Sequence, residues 1–134
     1  MKRYTNILYW IAMAGLLAYF AYSKGWILAN FESIAPKQAH TLLEKDNNVT
    51  LLDVRTDGEF KQEHIQGAKL IPLQILSENL LSLQNDRNKK IIVYCQSGNR
   101  SVSASRILEK HGFTPLNVKG GIGAWKREGL SVVK

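Results

Sequence analysis

From Ile7 to Tyr22 the chain reads ILYWIAMAGLLAYFAY, sixteen residues without a charge. Wound as a helix, this run is apolar on every face, so it cannot turn one side to a core and the other to water. It separates the chain into two parts of different chemistry. Sixteen helical residues span about 24 Å, short of a hydrocarbon core of roughly 30 Å. Continuing through Trp26 reaches the needed length, with Lys24 snorkelling to the headgroups. Trp10, Tyr22 and Trp26 lie toward the ends, where amphipathic rings favour the membrane interface. The expectation is an uncleaved anchor crossing the membrane through residues 7–26, inside an N-terminal unit of residues 1–31 that includes the linker. A cleavable signal peptide is the rival, with MKRYTN as its basic start and Ala21-Tyr22-Ser23 as a small-x-small site. Aromatics crowd that site, and the run exceeds the usual apolar stretch of roughly 7–15 residues. Lys2, Arg3 and the N-terminus outweigh Lys24, which places the N-terminus in the cytosol and the domain outside. In a Gram-negative bacterium that is the periplasm; secretion after cleavage and a cytoplasmic domain are the alternatives.

Charge follows the same division. Eighteen basic against eleven acidic residues give +7. Residues 1–31 hold Lys2, Arg3 and Lys24, no acid, and eight of the twelve aromatics. The remainder keeps 15 basic and 11 acidic residues, +4. It has no arginine-rich stripe and no interleaved aromatic and basic platform, which argues against nucleic acid as a partner. One cysteine excludes an internal disulfide framework and a four-cysteine zinc site, and no metal is expected. About 100 residues suffice for one hydrophobic core, and residues 32–134 read as that single domain.

In this domain short apolar runs alternate with helical segments. Thr50–Val54 (TLLDV) and Ile91–Cys95 (IIVYC) read as strands buried on two faces, as in a parallel sheet. Residues 116–118 add a third strand. Pro36 suits a first helical turn, followed by Ala39, Leu42 and Leu43 on one face. Asp46-Asn47-Asn48 is a turn. Segments 77–83 and 100–111 read as helices, the second stopped by Gly112. Strand–helix alternation predicts an α/β domain with right-handed crossovers.

Cys95 closes a strand, Gln96-Ser97-Gly98-Asn99 form a loop, and Arg100 opens a helix. Ligands of open α/β sheets sit at the carboxyl ends of strands. Such a turn aims backbone N–H groups inward and adds the positive end of a helix dipole. A thiol there is expected to ionise readily, aided by Arg100. Gly98 allows a backbone shape that side chains obstruct. The pattern points to nucleophilic attack by a thiolate, with backbone donors holding the anion. An inert strand cysteine is the alternative for Cys95 taken alone.

These residues resemble the rhodanese family. Asp53-Val54-Arg55 is similar to its DVR motif. Glu59-Phe60, followed by His64-Ile65-Gln66-Gly67-Ala68, is similar to its E-[FY]…H-I-x-G-A segment. Tyr94 to Ser101 (YCQSGNRS) resembles its active-site loop, and Gly120 to Trp125 (GGIGAW) its C-terminal G-G-x-x-x-W signature. The resemblance implies a rhodanese-like fold: a small parallel sheet of about five strands flanked by helices, here preceded by one transmembrane helix. It also implies sulfurtransfer. A sulfane sulfur moves from a small anionic donor such as thiosulfate to Cys95, and the persulfide passes it to cyanide or a thiol, a protein thiol included. No cofactor is implied beyond that covalent persulfide. The loop residues Gln96, Ser97, Gly98, Asn99, Arg100 and Ser101 would hold the substrate, with Asp53 and Arg55 in support. Asp53 has two readings: accepting hydrogen bonds from the active-site loop, or capping the next turn. Arg55 would pair with Glu59 or Glu63, or draw in an anion. His64 holds a loop, Trp125 packs in the core, and Gly120 and Gly121 permit close backbone approach.

Four residues separate Cys95 from Arg100, one fewer than in the family's phosphatase relatives, which disfavours a cysteine phosphatase or arsenate reductase. With no second cysteine to resolve an intermediate, the acceptor must be external. A non-enzymatic sulfur carrier loaded by partner proteins would use the same residues.

Overall fold

The computed structural model of the protein describes residues 2–26 and 30–134. Met1, whose amine enters the charge argument, and linker positions 27–29 lie outside the described residues.

Strand β1 (Glu32–Ile34) leads into helix α2 (Pro36–Lys45), and β2 (Val49–Asp53) into α3 (Asp57–Gln62). Then come β3 (Lys69–Leu70), α4 (Leu73–Leu76) and a 3-10 helix (Leu80–Asp86). Strand β4 (Lys90–Tyr94), α5 (Asn99–Lys110), β5 (Thr114–Val118) and α6 (Gly121–Arg127) complete the domain. The five strands form one sheet in the order β1-β5-β4-β2-β3, every pair parallel. This is the α/β architecture expected from the resemblance.

Apolar residues alternate between the two faces. Leu52, Ile91, Val93 and Cys95 pack with Ala104 and Leu108 of α5, whereas Leu51, Ile92 and Tyr94 pack with Ala39, Ile122 and Trp125. That is why both central strands read as unbroken apolar runs. Their boundaries sit one residue earlier than the runs suggested, so Cys95 is the first residue beyond β4. Pro36 opens α2, and Asp46 Oδ1 accepts the Asn48 N–H at 2.8 Å in the expected turn.

Segment 77–83 is not the continuous helix expected. α4 precedes it and the 3-10 helix takes its second half. Asn79 Nδ2 donates to Ile75 O at 2.7 Å and Ser82 Oγ to Asn79 O at 2.7 Å, so side chains compete for the backbone between the two. Helix α3 adds to the elements that the apolar pattern predicts. Its signal is a capping box: Glu59 N–H donates to Thr56 Oγ1 and Thr56 N–H to Glu59 Oε1, both at 3.2 Å.

Helix α1 (Lys2–Ser23) precedes the domain, and its large apolar side chains are exposed, Tyr4 at 74% and Trp10 at 68%. At 22 residues it is about 33 Å long, long and apolar enough to cross a membrane. The extra length lies on the N-terminal side of the charge-free run. The helix does not continue to Trp26, because Gly25, at φ +76°, ends it.

Candidate active site

In register, Asp53 of β2 lies beside Tyr94 of β4, so Val54, Arg55 and Cys95 emerge together at the carboxyl edge of the sheet. Cys95 is 1% exposed. The Gly98 N–H donates to Cys95 Sγ at 3.0 Å, and the thiol donates to Ser101 Oγ at 3.4 Å. Ser101 Oγ in turn donates to Gly98 O at 3.2 Å. Gly98 adopts φ +104°, a conformation side chains rarely take, and a Cβ there would lie 3.2 Å from Gly120 N. Gln96, Ser97 and Asn99 are exposed at the rim, while Gly98 and Ser101 are buried.

Helix α6 holds the loop from one side. The Ile122 N–H donates to Cys95 O at 2.8 Å and the Gly123 N–H to Gln96 O at 3.1 Å. A trans peptide directs its N–H opposite its C=O. The N–H groups of Gln96 and Ser97 therefore face away from α6, and neither has a partner among the described residues. A Cβ on Gly121 would come within 2.3 Å of Cys95 O, so only glycine fits there. This close approach is what the Gly120-Gly121 pair was expected to permit. Trp125 is 2% exposed, and its Nε1 donates to Ser131 O at 2.9 Å.

Asp53 and Arg55 make a buried unit, 0% and 2% exposed. Asp53 Oδ1 accepts the Arg55 backbone N–H at 2.9 Å, and Asp53 Oδ2 accepts from Arg55 Nη2 at 2.8 Å. Asp53 thus caps its own turn and does not bond the active-site loop. The connection runs through Arg55, whose Nη1 donates to Gln96 Oε1 at 3.4 Å and whose Nη2 donates to Glu63 O at 2.7 Å. Neither the Glu59 nor the Glu63 carboxylate pairs with Arg55: Arg100 holds the first and Lys126 the second. Burial favours the neutral guanidine, yet the hydrogen bonds and charge of Asp53 prevail and hold Arg55 above its usual range. Tyr94 lies beneath, its ring centroid 5.6 Å from the Arg55 guanidinium, its OH accepting the Ile65 N–H at 3.1 Å. Burial, reinforced by nearby Asp53, pushes that phenol well above its ordinary value.

Arg100 reaches back to α3. Its Nη1 donates to Glu59 Oε1 at 2.7 Å and its Nη2 to Glu59 Oε2 at 2.9 Å, a bidentate pair. These bonds outweigh burial and, with Thr56, lower Glu59 to about 2. Glu59 also holds Arg100 above its usual range, and Cys95 lies close enough to act on it electrostatically. Glu59 is therefore a site residue that spacing did not assign to this arginine. His64 Nδ1 lies 2.9 Å from Phe60 O, its ring stacks on Phe60 at 3.7 Å, and its backbone pairs with Val133. It fastens a loop and the C-terminal segment.

Residues 35–128 match the Rhodanese-like domain family. A sulfurtransferase of Allochromatium vinosum is 35% identical over 103 residues, 76% of this chain and 90% of that one. The thiosulfate sulfurtransferase PspE of Escherichia coli is 38% identical over 71 residues, 53% of this chain and 68% of that one. Other relatives are longer, and the chain spans 56% of one and 26% of another. The crystal structure of a rhodanese-related protein from Thermoplasma volcanium superposes with a TM-score of 0.70 at 34% identity, covering 77% of this chain and 98% of that one. With the loop between β4 and α5 formed as described and the match running from α2 into the turn after α6, the chain belongs to the rhodanese-like domain family.

Proposed function

We propose that the domain is a sulfurtransferase whose Cys95 carries the transferred sulfur. The Cys95 thiolate attacks the outer sulfur of thiosulfate; the S–S bond breaks, and sulfite leaves with its electron pair. The resulting persulfide is attacked at its outer sulfur by cyanide or a thiolate. Thiocyanate or a new persulfide departs, and the Cys95 thiolate is restored. The observation that carries this reading is the Gly98 N–H at 3.0 Å from Cys95 Sγ, in a loop whose carbonyls α6 holds. Such a donor supports an anionic sulfur without rearrangement. Gln96, Ser97, Gly98, Asn99, Arg100 and Ser101 surround the donor, and Asp53 and Arg55 position Gln96. No further cofactor takes part. The sole cysteine makes the acceptor external.

The same reading places α1 in a membrane, N-terminus in the cytosol and the domain outside. It is favoured over cleavage by the aromatics that crowd the Ala21-Tyr22-Ser23 site and by a charge-free run longer than the apolar stretch of a signal peptide; Arg106 Nη2 donates to Tyr22 O at 2.7 Å.

The test is thiocyanate formation from thiosulfate and cyanide by the full chain and by its Cys95→Ser variant. Turnover by the first and none by a folded second is expected. Retained turnover in the variant removes Cys95 from the chemistry. A folded but silent parent that accepts one sulfur by mass spectrometry would make the domain a carrier.

A further inference from the structure

A cavity of about 250 Å³ opens between the end of α1 and the active-site loop. Lys24 and Trp26 line it from the α1 side, and Ser97, Gly98 and Lys119 from the domain, with Asn117 of β5. Among the described residues no carboxylate lines it, and neither lysine forms an ion pair.

Local structure places the α1 side. The Trp26 N–H donates to Ala21 O at 2.9 Å and the Gly25 N–H to Tyr22 O at 3.1 Å, closing the helix with a left-handed glycine. A Cβ on Gly25 would lie 3.1 Å from Val102, and the Arg106 guanidinium stacks 3.7 Å from the Tyr22 ring centroid. Both partners belong to α5, the helix that follows the active-site loop.

Asn117 is 2% exposed; its Nδ2 donates to Ser33 Oγ at 3.1 Å, whereas its Oδ1 has no hydrogen-bond partner. A buried carbonyl oxygen without a donor is unusual, and it sits on a residue that lines this cavity. Two ammonium groups call for an anion, and the carbonyl calls for a hydroxyl or amine hydrogen. An amine beside Lys24 and Lys119 meets like charge, which leaves a hydroxyl.

We propose that this cavity binds a hydroxyl-bearing phosphate of the glycerol phosphate type, its phosphate between Lys24 and Lys119 and its hydroxyl toward Asn117 and Ser97. The source is a phosphoglycerol lipid headgroup or free glycerol phosphate. The lipid source rests on α1 spanning a membrane, which brings Lys24 and the exposed Trp26 to headgroup level.

The experiment uses the full chain in phosphatidylcholine vesicles with and without phosphatidylglycerol. Resistance to alkaline extraction reports the anchor. Lipid retained after detergent release, weighed by native mass spectrometry, reports the site. Phosphatidylglycerol is expected to be retained over phosphatidylcholine. Lys24→Gln with Lys119→Gln should cut that preference roughly tenfold or more. Lys45→Gln with Lys61→Gln, removing equal charge elsewhere, should leave it. In parallel, glycerol phosphate and inorganic phosphate are titrated onto the chain in neutral detergent, following the Asn117 and Lys119 amide resonances. Saturable glycerol phosphate binding, lost in the first double variant but without lipid preference, assigns the free source. Equal binding of inorganic phosphate overturns the hydroxyl recognition. A chain stripped by alkali fails the anchor reading, yet glycerol phosphate binding would still support the site. No preference and no binding in either arm, or equal losses in both double variants, overturns the proposal.

Discussion

Two arginines flank Cys95, each held by one carboxylate, and their surroundings differ. The Arg55 and Asp53 side chains are 2% and 0% exposed, those of Arg100 and Glu59 32% and 30%. The pairing chemistry is the same, and water separates the two cases. In the first pair, a group that loses its partner remains a charge in the interior, with no solvent to replace what was lost. In the second, water takes over at once. Arg55 is thus a fixed strut carrying Gln96 and the Glu63 carbonyl, whereas Arg100 is a rim group whose contact is easily exchanged. Exposure, not the presence of a salt bridge, decides how much the fold depends on each.

The sharpest way to break this contrast is Asp53→Leu, which strands the Arg55 guanidinium. A loss of about 3–5 kcal/mol is expected, read as a fall in the urea midpoint. Adding Arg55→Met removes the orphaned charge and should restore most of that loss. A single variant no weaker than the double would show that water reaches Arg55 after all.

Gly121→Ala comes next, because it acts on the loop both pairs surround. The new Cβ collides with backbone, at 2.3 Å from Cys95 O and 2.7 Å from Gln96 O, and adopts φ +61°. A loss on the order of 1–3 kcal/mol is expected, together with loss of sulfur transfer, since the Ile122 and Gly123 bonds to the loop must part. Gly129→Ala separates collision from strain: it has φ +79° with nothing within 4 Å. Equal effects on the melting temperature and on thiocyanate formation would mean that α6 does not position the loop.

How much of this could be read from the chain varies with how local the cause is. β2 and β4 were legible because each buries both faces. β1 and β3, three and two residues long at the sheet edges, are too short to show a period, and Glu32 and Lys69 in them reflect their exposed edges. The loop from Cys95 to Arg100 was legible as a strand–loop–helix turn. Its partners were not: Glu59 and Arg100 are 41 positions apart, and only the fold brings α3 against the start of α5. The Asp53–Arg55 pair did have a local signal. Alternate residues of an extended segment lie on one side, which favours Asp53 over the more distant Glu59 and Glu63. Packing against α5 had none, because the α1 residues involved sit at the end of a segment read for the membrane.

The smallest effect sharpens the comparison most. Glu59→Gln keeps the shape of the rim pair and removes its charge, and a loss of roughly 0.5–1 kcal/mol is expected at neutral pH. Glu59 falls from its usual 4.5 to about 2 in the folded protein, so the unfolded chain binds its proton first. The stabilisation is therefore complete above the unfolded value and is lost as pH falls from about 4.5 toward 2. Urea midpoints of the parent and E59Q should converge over that window and also converge in high salt, which screens exposed charges. The gap between the parent and Asp53→Leu should persist in salt, because the Arg55–Asp53 pair is shielded from ions. If E59Q destabilised as strongly as Asp53→Leu and ignored both pH and salt, the rim pair would behave as though buried. Exposure would then not be what distinguishes the two arginines, and Arg100 would have to be counted with Arg55 as part of the frame around Cys95.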